Sequence, residues 1–330
     1  MRQAIIGLTS LLLFSLSLGT TITLRKHLIT PPIKEVKSIE ELKIDGTDEH
    51  QFPEISSSSE INPGSIHPIL NEKGYMVGGT SDGIWLPSEK FIHYLKGNEQ
   101  YHVFSRTQIL GDSQGSLPKE VDFTQGTKGY QIQLKDSRFK NNSSECFQFS
   151  IIGGWNPFPR PIHYYTAETQ RYLPMVRKAL CEIGLPEAKA EIKELIIADL
   201  NGDDLNEALL VASNFDLDYD HPVTTKNTIP TNPSNKYSLI ILCNQINDGE
   251  EATIIFGSYQ ELCKFEILCI ADLDGDWELE LLVRATRFNL LETDSSPLIE
   301  DILVKIIDNQ PKKVLKFAWS PNTEIKDSKK

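Results

Sequence analysis

From Glu194 to Ser320 the chain reads as one apolar run after another: ELIIADL, EALLVAS, YSLIILCNQ, EATIIFGSY, KFEILCIADL, ELELLVRATRF, IEDILVKIID and KKVLKFAWS. Each run has the length of a strand and none has room for a helix with caps, which predicts a predominantly antiparallel β domain. Just upstream, TAETQRYLPMVRKALCEIGL places Leu173, Val176, Leu180 and Ile183 at spacings of three and four, the period of an amphipathic helix. Pro174 suits a first helical turn, so the helix is expected to start near Leu173, and Gly184 followed by Pro186 is expected to stop it. Its stripe is expected to pack on the sheet.

Further upstream the pattern changes. GYMVGGTSDGIWLPSEKFIHYLKGNEQYHVFSRTQILG, YQIQLKD and CFQFSII alternate short aromatic and β-branched runs with glycine turns, and Ser88 to Leu95 has room for one or two helical turns. The expected fold class is therefore mainly β, of α+β type: a small β-rich domain over residues 71–154, then an antiparallel β domain with one packed helix over residues 155–320, then a tail at 321–330. Between them, GGWNPFPRPIHYY reads as linker packing or as an exposed recognition surface.

The first residues change the picture of where the body resides. Arg2, an apolar stretch from Ala4 to Leu18 and the small residues around Ser17-Leu18-Gly19 resemble a secretory signal peptide over residues 1–19. An uncleaved anchor extending to residue 24 is the alternative, since no charge interrupts Gln3 to Leu24. Either reading places the body outside the cytoplasm, secreted or at the cell envelope. Residues 20–70 then read as a flexible spacer, poor in aromatics and carrying proline, glycine and a serine run. Overlapping sequons at Asn141 and Asn142 matter only in a host that glycosylates exported chains. Five cysteines are too few for a disulfide scaffold, and a Cys263 to Cys269 bridge is left open.

Composition excludes one class of partner. Forty-six acidic residues against 33 basic ones give a formal charge of -13, which argues against a nucleic-acid binder because phosphate contacts need clustered cations.

Part of the acidic excess sits in two short segments, ADLNGDDLNEALLVAS from Ala198 and ADLDGDWELELLVRA from Ala271. Counted from the first aspartate, positions one, three, five and nine are Asp199, Asn201, Asp203 and Glu207 in one copy, and Asp272, Asp274, Asp276 and Glu280 in the other. Position seven, Leu205 or Glu278, can add a backbone carbonyl. Like charges at alternate positions of a curled loop repel unless a cation sits among them. All-oxygen ligands without histidine or thiolate favour a hard ion, and a carboxylate-rich curl favours Ca²⁺ over Mg²⁺. A single acidic turn would pass as ordinary, because Asp, Asn and Gly dominate turns for local reasons. Two copies matching at four positions argue for a shared demand. Position twelve is Leu210 or Val283, so strand patterning resumes at once and the ion would staple a β-turn, unlike the helical calcium loop.

These loops resemble those of FG-GAP or VCBS-type repeats, found in integrin-like β-propellers and in many exported bacterial proteins, with the pattern D-x-[DN]-x-D-G-x-x-[DE]. The resemblance implies calcium ligands Asp199, Asn201, Asp203, the Leu205 carbonyl and Glu207 in the first loop, and Asp272, Asp274, Asp276, the Glu278 carbonyl and Glu280 in the second. Both copies depart at position six, where the family has glycine and this chain has Asp204 and Trp277. A left-handed backbone there suits Asp and disfavours Trp. The resemblance covers the loops and their flanking strands, and two copies are too few for a propeller of several blades.

No HExxH, no G-x-S-x-G and no phosphate-cradling glycine loop occurs. The expected function is that of an exported or cell-surface binding or structural module, stabilised by Ca²⁺ and meeting a protein or glycan at the envelope, with membrane contact only through an uncleaved anchor. The alternative is a secreted hydrolase acting on glycan or peptide, its site assembled from distant residues.

Overall fold

The described residues form seventeen strands and one α-helix. The first eight strands are β1 (Ile66–Leu70), β2 (Met76–Ser81), β3 (Ile84–Leu86), β4 (Gln100–Phe104), β5 (Ile109–Gln114), β6 (Lys119–Asp122), β7 (Lys128–Gln131) and β8 (Phe149–Ile151). After β9 (Ile162–Tyr165) comes the helix α1 (Leu173–Glu182). Then follow β10 (Ile192–Ala198), β11 (Glu207–Ser213), β12 (Ser238–Asn244), β13 (Glu251–Ser258), β14 (Cys263–Ala271), β15 (Glu280–Arg287), β16 (Leu298–Ile307) and β17 (Gln310–Trp319). The computed structural model describes residues 62–123, 127–139, 149–166, 170–215, 235–244, 251–259, 262–288, 297–307 and 310–320. The signal or anchor, the spacer up to residue 61, the sequons, Cys146 and the tail at 321–330 lie outside the described residues.

The strands form antiparallel sheets in the orders β3-β2-β1-β8-β4-β5, β13-β12-β11-β10-β9 and β14-β15-β16-β17, with β6 and β7 paired apart. The described residues are thus mainly antiparallel β with one short α-helix. The β14–β17 sheet is the middle layer. One of its faces sends Phe265, Ile267, Leu281, Val283, Ile302 and Val304 into a core shared with Ile196, Leu209, Val211 and Ile240 of the β9–β13 sheet. Its other face sends Leu282, Leu303, Leu315, Phe317 and Trp319 against Ile69, Val77, Phe104 and Phe149 of the first sheet. A strand covered on both sides has no polar face to present, which is why β15 is buried along almost its whole length.

The helix covers the outer face of the β9–β13 sheet, where Met175, Val176, Ala179 and Leu180 meet Leu195, Leu210, Leu239 and Ile241. It begins at Leu173 with Pro174 in its first turn, and Gly184 at φ 80 ends it while the N–H of Leu185 returns to the Leu180 carbonyl at 2.8 Å. Ser88–Lys90 and Ile92–Tyr94 form two short 3-10 turns.

Two boundaries move. Ile66–Leu70, assigned to the spacer, is a strand at the centre of the first sheet, because Ile69 and Leu70 are fully buried. The division near Gly154 does not separate two cores, since residues before and after it share the cluster around Trp319, and the described residues form one compact unit. Cys263 and Cys269 both lie on β14, and neither is in a disulfide. Along an extended strand they stand roughly 20 Å apart, far beyond the reach of a disulfide.

Buried charge also ties the layers together. Arg284 on β15 is fully buried and pairs across to Asp301 on β16, Nε to Oδ1 at 2.7 Å. Its Nη1 donates to Glu72 Oε1 at 2.7 Å, and Asp301 Oδ2 accepts from Asn71 at 2.9 Å and Trp319 at 3.0 Å. Burial opposes the guanidinium charge, but Asp301 and Glu72 outweigh it and raise the Arg284 pKa.

Candidate metal centre

Each acidic loop closes one antiparallel hairpin. In the first, β10 and β11 pair so that Ala198 faces Glu207; in the second, β14 and β15 pair so that Ala271 faces Glu280. The ninth loop residue is therefore the first residue of the returning strand, and its side chain folds beneath the turn. There Glu207 Oε2 accepts the N–H of Leu200 at 2.8 Å, and Glu280 Oε2 accepts that of Leu273 at 2.8 Å.

The first aspartate organises the rest. Asp199 Oδ1 accepts from the N–H of Gly202 at 2.7 Å and of Asp203 at 3.2 Å, and its Oδ2 from Asp204 at 3.2 Å. Asp272 Oδ1 accepts from Gly275 at 2.6 Å and its Oδ2 from Trp277 at 3.1 Å. Positions three and five continue the curl, each accepting from the N–H two residues on: Asn201 from Asp203 at 3.0 Å, Asp203 from Leu205 at 2.8 Å, Asp274 from Asp276 at 3.3 Å, and Asp276 from Glu278 at 2.9 Å. Position four is a left-handed glycine in both, Gly202 at φ 78 and Gly275 at φ 84. Position six is left-handed as well, Asp204 at φ 66 and Trp277 at φ 74. The Trp277 side chain is 71% exposed, so it does not cap the turn as a buried ring would.

The loops differ in what they converge on. Carboxylate oxygens of Asp272, Asp274 and Asp276 lie within 4.8 Å of one another, the spacing of ligands around one ion. Glu280 underlies them, completely buried, and its Oε1 has no hydrogen-bond partner. Lys305 Nζ stands 3.5 Å from that oxygen, within ion-pair reach but without hydrogen-bond geometry. In the first loop Asn201 Nδ2 donates to Asp203 Oδ2 at 3.2 Å, which uses one oxygen of the candidate set internally. Leu205 is half exposed, and Asn201 and Asp203 face solvent, while Asp199 and Glu207 are buried.

Burial and crowding leave electrostatic marks. Desolvation pushes the Glu280 carboxyl up to about 9, helped by the neighbouring Asp274 charge, and pushes Asp274 up to about 6. Asp272 and Glu207 are also raised, chiefly by burial. Asp276 goes the other way, because Lys305 and the N–H of Glu278 outweigh its burial. Carboxylates held in reluctant protonation states are what a divalent cation would relieve.

Three residues at the site carry no signal in the loop pattern. Trp155 Nε1 donates to the Asp272 carbonyl at 2.9 Å, and its ring lies against Gly275, where an added Cβ would meet it at 3.0 Å. Arg160 Nη2 reaches the Leu200 carbonyl at 3.3 Å and its Nε stands 3.6 Å from Asp199 Oδ2. Trp155 and Arg160 thus tie the segment GGWNPFPRP to both loops. The loops also touch, the N–H of Leu279 reaching the Leu200 carbonyl at 3.2 Å. The third residue, Lys305, faces Glu280 across the β15–β16 pair, and a lone lysine inside IEDILVKIID is the signal that could have flagged it.

Comparison of the chain with protein-family models, with curated proteins and with solved structures returned no match.

Proposed function

We propose that this chain is an exported or cell-surface module whose two acidic hairpins bind Ca²⁺ as structural ions, and that it serves as a binding or structural element toward a protein or glycan at the cell envelope. The observation that carries the metal is the buried Glu280 Oε1, left without a hydrogen bond beneath the converging Asp272, Asp274 and Asp276. A buried carboxylate oxygen with nothing to accept is costly, and an ion seated above it removes that cost. The remaining ligands of the second site would be Glu280 itself and the Glu278 carbonyl. The first site would use Asp199, Asn201, Asp203, the Leu205 carbonyl and Glu207. An ion held by five protein oxygens in a turn has little room to activate water, so the reading is structural rather than catalytic.

A hydrolase would need two carboxylates free to act in a cleft. Outside the loops, Glu72 and Asp301 do converge, beside a cleft of about 320 Å³ lined by Asn71, Glu72, Lys73 and Phe139. Both are bound to Arg284, so neither is placed for acid–base work. That arrangement favours the binding module over the hydrolase.

The test is thermal melting of the body with Ca²⁺ or chelator, together with metal content by mass spectrometry. Saturation at a hundredfold over Kd should stabilise by about 2.7 kcal/mol per site. Asp199→Ala should remove the first site's share of the shift while leaving the second's. A melting curve indifferent to millimolar Ca²⁺ and to chelator would refute the metal.

A further inference from the structure

The second loop already holds a cation of its own. Lys305 Nζ lies 3.7 Å from Asp274 Oδ2, 3.0 Å from Glu278 Oε2 and 3.5 Å from Glu280 Oε1, and it donates a short hydrogen bond to Asp276 Oδ2. These are the side chains of positions three, five, seven and nine, reached from β16 by a side chain that is only 12% exposed. Among the described residues the first loop has no counterpart: its basic neighbour, Arg160, comes in from the side, to Asp199 and the Leu200 carbonyl. One ammonium does not discharge the second loop, since the loop carries five carboxylates, Asp272 is bonded to backbone N–H groups, and Glu280 Oε1 still lacks a hydrogen bond.

We propose that Lys305 is a tethered competitor for the metal, seated in the carboxylate basin of residues 272–280 and displaced when a divalent ion enters. The inference rests on the calcium reading above. Two cations a few ångströms apart in a partly buried site repel strongly, so lysine and ion exclude each other from the same oxygens. The long flexible stem allows the exit. Glu278 gives the displaced ammonium a partner, because only its backbone carbonyl belongs to the ligand set and its carboxylate is free to follow the lysine outward. The second loop, richer in carboxylate than the first, is thereby set to fill at higher calcium than its own ligands would dictate, and the two sites fill in order.

Terbium luminescence separates the loops, because Trp155 and Trp277 both adjoin the second and can sensitise an ion there. In the full chain with the first loop silenced by Asp199→Ala, terbium is titrated and then competed with Ca²⁺, with and without Lys305→Met. The inference expects Lys305→Met to tighten second-loop affinity by about tenfold or more. Equal affinities in the two proteins overturn it while leaving the calcium reading intact. Binding by neither protein, nor by the unmodified chain, overturns both. Should Lys305→Met fail to fold, carbon-13 reductive methylation of the unmodified chain supplies the second readout, with the Lys305 resonance identified by its loss in Lys305→Arg. That resonance must move as Ca²⁺ fills the second loop, and a fixed resonance at saturation overturns the inference.

Discussion

The two acidic loops share a backbone and differ in their electrostatics. In both, the first aspartate gathers the N–H groups of positions four and six, the ninth residue accepts from position two at 2.8 Å, and positions four and six are left-handed. That frame is local: short Asp and Asn side chains bond N–H groups two to five residues on, and the ninth-position glutamate closes it seven residues back. What differs comes from afar. Arg160 approaches the first loop at its edge, whereas Lys305 enters the second, and Glu280 is sealed completely where Glu207 keeps a little exposure. A repeated sequence can thus fix a repeated geometry while the surrounding layers assign each copy a different charge state.

The comparison extends into the returning strands and can be broken there with the largest effect. Four residues after the ninth position the first hairpin has Val211, in the core, while the second has the buried Arg284. Arg284→Met leaves Asp301 and Glu72 buried without their cation, and a loss of about 3–5 kcal/mol is expected in urea unfolding. A loss below about 1 kcal/mol would mean that the cluster rearranges and that the two hairpins are energetically alike.

A mid-sized effect should appear against pH. In metal-free protein Glu280 titrates at about 9 instead of 4.5, so the folded state holds an extra proton between those values. Its contribution is therefore complete below 4.5 and is lost as pH rises through about 9. Compared with Glu280→Gln, the chelated wild-type chain should lose urea resistance progressively across that window. Glu207→Gln should show the same direction at smaller amplitude, its carboxyl being raised by burial but less enclosed. Equal pH slopes for the two pairs would erase the claimed difference between the loops.

The smallest effect lies at position six. Trp277 is held left-handed at φ 74 with its side chain in solvent, so Trp277→Gly removes backbone strain and little packing. The strain relieved, less the entropy that glycine adds to the unfolded chain, leaves a gain of up to about 1 kcal/mol. Asp204→Gly should be close to neutral, and a destabilised Trp277→Gly would show that the ring makes a contact the loop needs.

Much of this was legible in the chain. The runs EALLVAS and EATIIFGSY correspond to β11 at Glu207–Ser213 and β13 at Glu251–Ser258, and the helix starts at Leu173 with Pro174 in its first turn. The left-handed sixth position that the resemblance implied is seen at both Asp204 and Trp277. Less legible was the boundary of the first half, because Ile66–Leu70 is too short a run to stand out beside the serine-rich stretch before it. The shared core around Trp319 was also hidden, since hydrophobic periodicity reports that a face is buried and not what covers it.

The sequence by itself determined the strands from Glu194 onward, the helix with its ends and the curl of both acidic turns, since each depends on side chains and backbone groups a few residues apart. Only the tertiary structure decided that the β14–β17 sheet is covered on both faces, that Arg284 is enclosed with Asp301 and Glu72, and that Lys305 sits among the carboxylates of the second loop. Those outcomes depend on which sheets stack and in what register, and the local order of residues, even a lone lysine inside IEDILVKIID, does not say what a side chain will face.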